Sequence, residues 1–168
     1  MKQKMLFAIA TAALAMAPAA FCQSTDTGSS TLDITVGPEA QFTAVDSTTS
    51  LTGDTKFGAK TGTTNFTYKL RTTQSGGSGS ITVEVTAFAT GGPAMTDLTY
   101  GCTSGVGTAC SSGTAVSTTA QTNVVTFGTD AHSADAGTSG TTAWTLVDKP
   151  STKTGSYSST ATFTISAS

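Results

Sequence analysis

Hydrophobic and polar positions alternate with a period of two in several short runs of this chain, and no run after residue 30 shows the 3.6 period of a capped helix. The first run is TLDITV, where Leu32, Ile34 and Val36 oppose Thr31, Asp33 and Thr35 until Gly37 and Pro38 end it. Alternation of this kind with β-branched residues predicts a strand with one apolar face. Two further runs, NFTYKLR and SITVEVTAF, place Phe66, Tyr68 and Leu70, then Ile81, Val83 and Val85, on one side each. The Gly/Ser-rich TTQSGGSGS between them predicts an antiparallel hairpin. Pairing Lys69 with Glu84 sets Tyr68 against Val85 and Leu70 against Val83, which keeps both apolar sets on one face.

Shorter strands are predicted at DLTYG, NVVTFG and TTAWTLVD, with Trp144 and Leu146 assigned to the core. The longest alternation is GSYSSTATFTISAS. Tyr157, Ala161, Phe163 and Ile165 lie on one side of it, and Ser158, Thr160, Thr162 and Thr164 on the other. Threonine suits a wet strand face, because its branched Cβ fits the pleat while its hydroxyl meets water. The Thr/Ser/Gly stretches 46–63 and 128–140 read as surface loops. Many short strands separated by turn residues predict an all-β protein, a single antiparallel β-sandwich over residues 31–168.

The amino-terminal segment follows another pattern. In MKQKMLFAIATAALAMAPAAFCQS, Lys2 and Lys4 precede an apolar stretch from Leu6 to Met16, and small residues then crowd toward Cys22. This predicts a cleaved signal peptide over residues 1–22, followed by a flexible leader over 23–30. Cleavage after Ala19 is the alternative, and the bulky Phe21 argues against lipidation of Cys22. The apolar stretch falls short of the about 20 residues of a spanning helix, and no later stretch reaches that length. The expectation is an exported protein, secreted or held at the cell surface, with no stable membrane insertion.

Composition narrows the partners. Only 11% of residues are charged and the formal net charge is −2. Lys69 with Arg71, and Lys149 with Lys153, are isolated basic pairs, so no nucleic acid partner is expected. Beyond the signal segment two cysteines remain, Cys102 and Cys110 in TYGCTSGVGTACSSG. In an oxidising compartment such a close pair predicts a disulfide. Two cysteines with no adjacent histidine or second pair cannot complete a tetrahedral zinc site.

Candidate chemistry is sparse. His132, the one histidine, lies in GTDAHSADAG beside Asp130 and Asp135, but the chain has no GxSxG turn to supply an activated serine. Calcium at Asp130 and Asp135 would lack the DxDxDG spacing and the closing bidentate glutamate. Glu39 and Glu84 are the only glutamates, and Glu84 belongs to the outer side of a strand. SGGSGS lacks the Lys-Ser/Thr ending of a phosphate-binding loop. No catalytic residue, cofactor or metal is therefore expected. A glycan is a candidate partner through exposed aromatics, with Trp144, Tyr100 and Tyr157 to be weighed against core packing. Asn65-Phe66-Thr67 forms a glycosylation sequon.

The ending GSYSSTATFTISAS resembles the final strand of chaperone-usher-type pilins and spore-coat-U-like secreted domains, over about the last 14 residues. The resemblance implies an immunoglobulin-like sandwich completed by a strand from a neighbouring subunit. Those pilins usually carry their disulfide early in the domain, whereas Cys102 and Cys110 lie mid-chain. Physics points the same way, because an alternating strand after a polar leader can complete its own sheet or add to the edge of another copy. In the second case Leu32, Ile34 and Val36 are the anchors. The leading expectation is a non-enzymatic structural or adhesive surface protein, a fibre subunit whose partners are copies of itself or other surface subunits. The alternative is a monomeric secreted carbohydrate- or surface-binding module.

Overall fold

The computed structural model describes residues 27–168. The expected signal peptide (1–22), with Cys22, and the first part of the leader lie outside the described residues. Two units separate at Ile34. In the described part of the first, residues 27–34 form no regular structure and are exposed throughout.

The second unit is an all-β domain of two antiparallel sheets. Nine strands form it: β1 (Glu39–Val45), β2 (Lys60–Arg71), β3 (Gly79–Val85), β4 (Leu98–Ser104), β5 (Thr108–Ala109), β6 (Thr114–Ala115), β7 (Thr122–Phe127), β8 (Thr138–Leu146) and β9 (Ala161–Ala167). One sheet has the order β1-β2-β8-β4-β6 and the other β5-β7-β3-β9. A single 3-10 turn, Met95–Asp97, leads into β4.

The core lies between the sheets. Phe66, Tyr68 and Leu70 of β2 and Trp144 and Leu146 of β8 meet Ile81, Val83 and Val85 of β3 and Val125 and Phe127 of β7. Each set occupies alternate positions of its strand, the period that puts side chains on one face. The aromatic rings form a chain through this layer, from Phe42 to Phe66 to Phe163 to Trp144 to Tyr100, with centroid separations of 5.5 to 6.5 Å. Their polar tips are satisfied: Trp144 Nε1 donates to Thr64 Oγ1 at 2.8 Å, Tyr100 Oη to the Asn123 carbonyl at 2.9 Å, and Tyr68 Oη to the Val106 carbonyl at 3.1 Å. Buried aromatics of this kind contribute area without leaving a donor unpaired.

Four expectations are corrected. β2 and β3 do not form a hairpin. β2 pairs with β1 and β8, while β3 pairs with β7 and β9 in the opposite sheet. Both strands bury their apolar face completely, which is met by stacking those faces about 10 Å apart rather than setting them side by side. Lys69 consequently lies opposite Gln41, and Glu84 opposite Thr162.

The segment Leu32–Val36 joins neither sheet, and its role as first strand passes to Glu39–Val45. The last strand begins at Ala161 rather than near Tyr157. Tyr157 instead donates to the Gly91 carbonyl and to its own chain at Lys153. The stretches 46–63 and 128–140 are only partly loop, since β2 starts at Lys60 and β8 at Thr138.

Candidate functional site

The two long flanks of the sandwich differ. On one, Cys102 of β4 and Cys110, just after β5, form a disulfide with a Cα–Cα distance of 5.0 Å. It joins a strand of each sheet, and Cys110 N–H also donates to the Val124 carbonyl in β7. That flank is closed by a covalent bond. On the other flank lie β1 and β9, the edge strands of opposite sheets.

The β9 edge has free hydrogen-bonding capacity that can be assigned residue by residue. Ser78 and Ser168 exchange both backbone bonds, so they form a hydrogen-bonded pair. In an antiparallel ladder such pairs recur every second residue. Thr162, Thr164 and Ser166 therefore bond to β3, while the N–H and C=O groups of Ala161, Phe163, Ile165 and Ala167 face away from it. No described strand pairs with them.

The same residues point their side chains toward the core, yet Phe163, Ile165 and Ala167 remain half-buried, unlike Ile81 and Val83 beside them. Across the seam Ala40 and Phe42 of β1 are half-buried as well. At its Ala161 end the seam widens into a cleft of about 670 Å³. Trp144, Leu146, Phe88 and Phe163 line its apolar side, and hydroxyls of Thr48, Ser50 and Ser158 its rim. Apolar side chains of both sheets thus meet solvent along one continuous line.

The other edges are protected. β5 and β6 are two residues long. β1 carries a bulge between Phe42 and Ala44, and its Glu39 pairs with Arg71 at 2.9 Å. Short length, bulges and charge are the means by which edge strands avoid unwanted pairing. β9, with the sequence ATFTISA, has no charge, no proline and an uninterrupted register with β3.

The three residues singled out as strand anchors are all exposed: Leu32 at 93%, Ile34 at 88% and Val36 at 59%. Such a cluster of large apolar residues in water is unusual for a folded chain.

The remaining candidates separate cleanly. Trp144 is 5% exposed and Tyr100 1%, so neither offers a platform for a sugar ring. Burial pushes the Tyr100 phenol above the ordinary tyrosine range, opposed in part by the nearby Thr122 hydroxyl. His132 is exposed, with Nδ1 2.9 Å from the Asp130 carbonyl and 4.0 Å from the Asp130 carboxylate. The neighbouring Ser133 Oγ accepts from Leu70 N–H, which ties that hydroxyl to the end of β2. Among the described residues no three His, Cys, Asp or Glu side chains converge to hold a metal. Asn65 of the sequon is exposed, and its amide donates to Asp46 at 2.8 Å. The β9 edge itself was visible in sequence only as an alternation, because periodicity reports faces and not neighbours. No protein-family model, no curated protein and no solved structure matches this chain.

Proposed function

We propose that the chain is a non-enzymatic structural subunit of the cell surface, which assembles when the Leu32–Val36 segment of one copy adds as a strand to β9 of the next. One observation carries the reading: an unprotected sheet edge over a half-covered core coexists with an exposed, alternating apolar segment short enough to lie along that edge. Residues directly opposite in a ladder share a face. Leu32, Ile34 and Val36 would therefore stand opposite three of Ala161, Phe163, Ile165 and Ala167, and enter the seam. A slip of one residue would turn Thr31, Asp33 and Thr35 inward instead. Burying the three anchors contributes roughly 5 to 9 kcal/mol before ordering costs.

The strand order supports an immunoglobulin-like reading. β1-β2-β8-β4 takes the A-B-E-D positions and β3-β9 takes C and F, which puts the incoming segment in the seventh position. The alternative, a monomeric glycan-binding module, draws less support because Trp144 and Tyr100 belong to the core.

The test is the mass and shape of residues 23–168 by light scattering and negative-stain microscopy, from dilute to concentrated solution. Filaments or an oligomer ladder are expected, and Ile34→Asp should abolish them while leaving a folded monomer. A synthetic peptide of residues 29–37 should raise the melting temperature of the Ile34→Asp monomer by occupying its seam. A monomer at every concentration that also ignores the peptide overturns the reading.

A further inference from the structure

Strand addition between copies faces a competitor within each copy. A segment tethered close to an open edge meets it at an effective concentration in the millimolar range, unless the tether geometry forbids the contact. Here the tether is short, because β1 follows the apolar segment directly and lies across the seam from β9. The Glu39 end of β1 pairs with Arg71 at the end of β2. Two residues on, Thr73 N–H bonds to the Ser168 carbonyl just past β9. A reversal at Gly37 and Pro38 would thus bring Leu32–Val36 along β9 of its own copy, parallel to it. A chain built to assemble needs something that prevents this reversal.

We infer that Arg71 is a positioning residue, which holds the root of the apolar segment and so directs it to another copy rather than to its own β9. The inference rests on the strand-addition reading above. The Arg71 guanidinium contacts both ends of the Gly37-Pro38-Glu39 junction that leads into β1. Nε donates to the Gly37 carbonyl at 2.7 Å, and Nη2 pairs with the Glu39 carboxylate at 2.9 Å. A planar, always-charged fork is suited to two such acceptors at once, which a lysine point charge is not. Pro38 adds a fixed φ between the two gripped residues.

The base of the fork is itself immobilised. Arg71 bridges to His132, Thr72 N–H donates to the Ala131 carbonyl, and Ser133 N–H donates to the Leu70 carbonyl. The guanidinium therefore acts from a fixed backbone on the junction that would have to reverse to close the seam from within.

Arg71→Ala tests this, with Arg71→Lys and Ile34→Asp in parallel. Light scattering should show the Arg71→Ala polymer fraction falling by about tenfold at a concentration where the wild type assembles, since internal closure becomes accessible. Its monomer should melt higher than the Ile34→Asp monomer and should no longer respond to the peptide of residues 29–37, because its own segment fills the seam. Arg71→Lys should fall between. If Arg71→Ala assembles like the wild type, or yields a less stable monomer that still binds the peptide, Arg71 only braces β1 and the inference fails while strand addition stands. If the wild type neither assembles nor binds the peptide, both fail together.

Discussion

Thr64 and Thr142 are neighbours in adjacent strands, each buried, yet one hydroxyl is bonded and the other is not. The two residues lie directly opposite in the β2–β8 ladder, and Cys102 flanks Thr142 on its other side. Thr64 Oγ1 accepts from Trp144 Nε1 at 2.8 Å and shares a 2.6 Å hydrogen bond with Thr49 Oγ1. Thr142 Oγ1, in a residue with no exposed surface, has no partner among the described residues.

An unmet buried hydroxyl costs about 1 to 3 kcal/mol, and valine replaces it with a methyl group of nearly the same volume. Thr142→Val should therefore stabilise by about 1 to 3 kcal/mol and raise the melting temperature by roughly 3 to 9 °C. Thr64→Val removes two bonds and strands the indole N–H, so the same substitution next door should destabilise by about 1 to 3 kcal/mol. Thermal melts and urea titrations of both variants read the sign directly, and unchanged urea slopes would show that both stay two-state with the same buried surface. A neutral or destabilising Thr142→Val would mean that the hydroxyl finds a partner in solution, and the reasoning from orphaned polar atoms would fail at this site.

Two other predictions concern the domain as a monomer, and both are best measured on Ile34→Asp. Reducing Cys102–Cys110, or replacing both cysteines with serine, should cost about 2.5 kcal/mol through the entropy of so short a loop, lowering the melting point by about 7 °C without unfolding the domain at room temperature. A fold lost at 25 °C would assign the disulfide a larger role than a flank closure. The raised Tyr100 pKa makes the neutral phenol the form favoured by folding. Its contribution is complete below the ordinary tyrosine pKa of about 10 and is lost as pH rises through the higher folded value. Urea midpoints between pH 8 and 11 should fall for the parent and fall less for Tyr100→Phe; parallel curves would exclude Tyr100 as the group responsible.

Much of the sandwich was legible in the sequence because burial and period coincide there. Ile81, Val83 and Val85, Trp144 and Leu146, and Phe163 and Ile165 all face inward as their alternation predicts. What alternation cannot report is the neighbour. The lines of β2 and β3 agree equally well with a hairpin and with two stacked sheets, and only the complete burial of both faces separates the cases. β1 was missed for the opposite reason. As an edge strand it needs little apolar content, and EAQFTAV turns only Ala40 and Phe42 toward the core.

The same blindness explains why TLDITV was read as a first strand. Its alternation is that of a strand with one buried face, but the face is buried only if a partner edge exists, and the partner can belong to any chain. The fold supplies one edge fit for that purpose and protects the rest. The flank sealed by Cys102–Cys110 ends in strands of two residues, where an added strand would gain few ladder bonds. The opposite flank has β1 bulged and charged, but β9 flat, neutral and seven residues long. An ordinary monomer would be expected to carry a lysine or proline on such an edge, since each unprotected edge is an aggregation hazard. Retaining an unblunted β9 makes physical sense where pairing is wanted with one particular segment. Under the proposed strand addition, specificity would come from the half-covered seam, which rewards only registers that turn Leu32, Ile34 and Val36 inward and gives a generic polar strand no comparable burial.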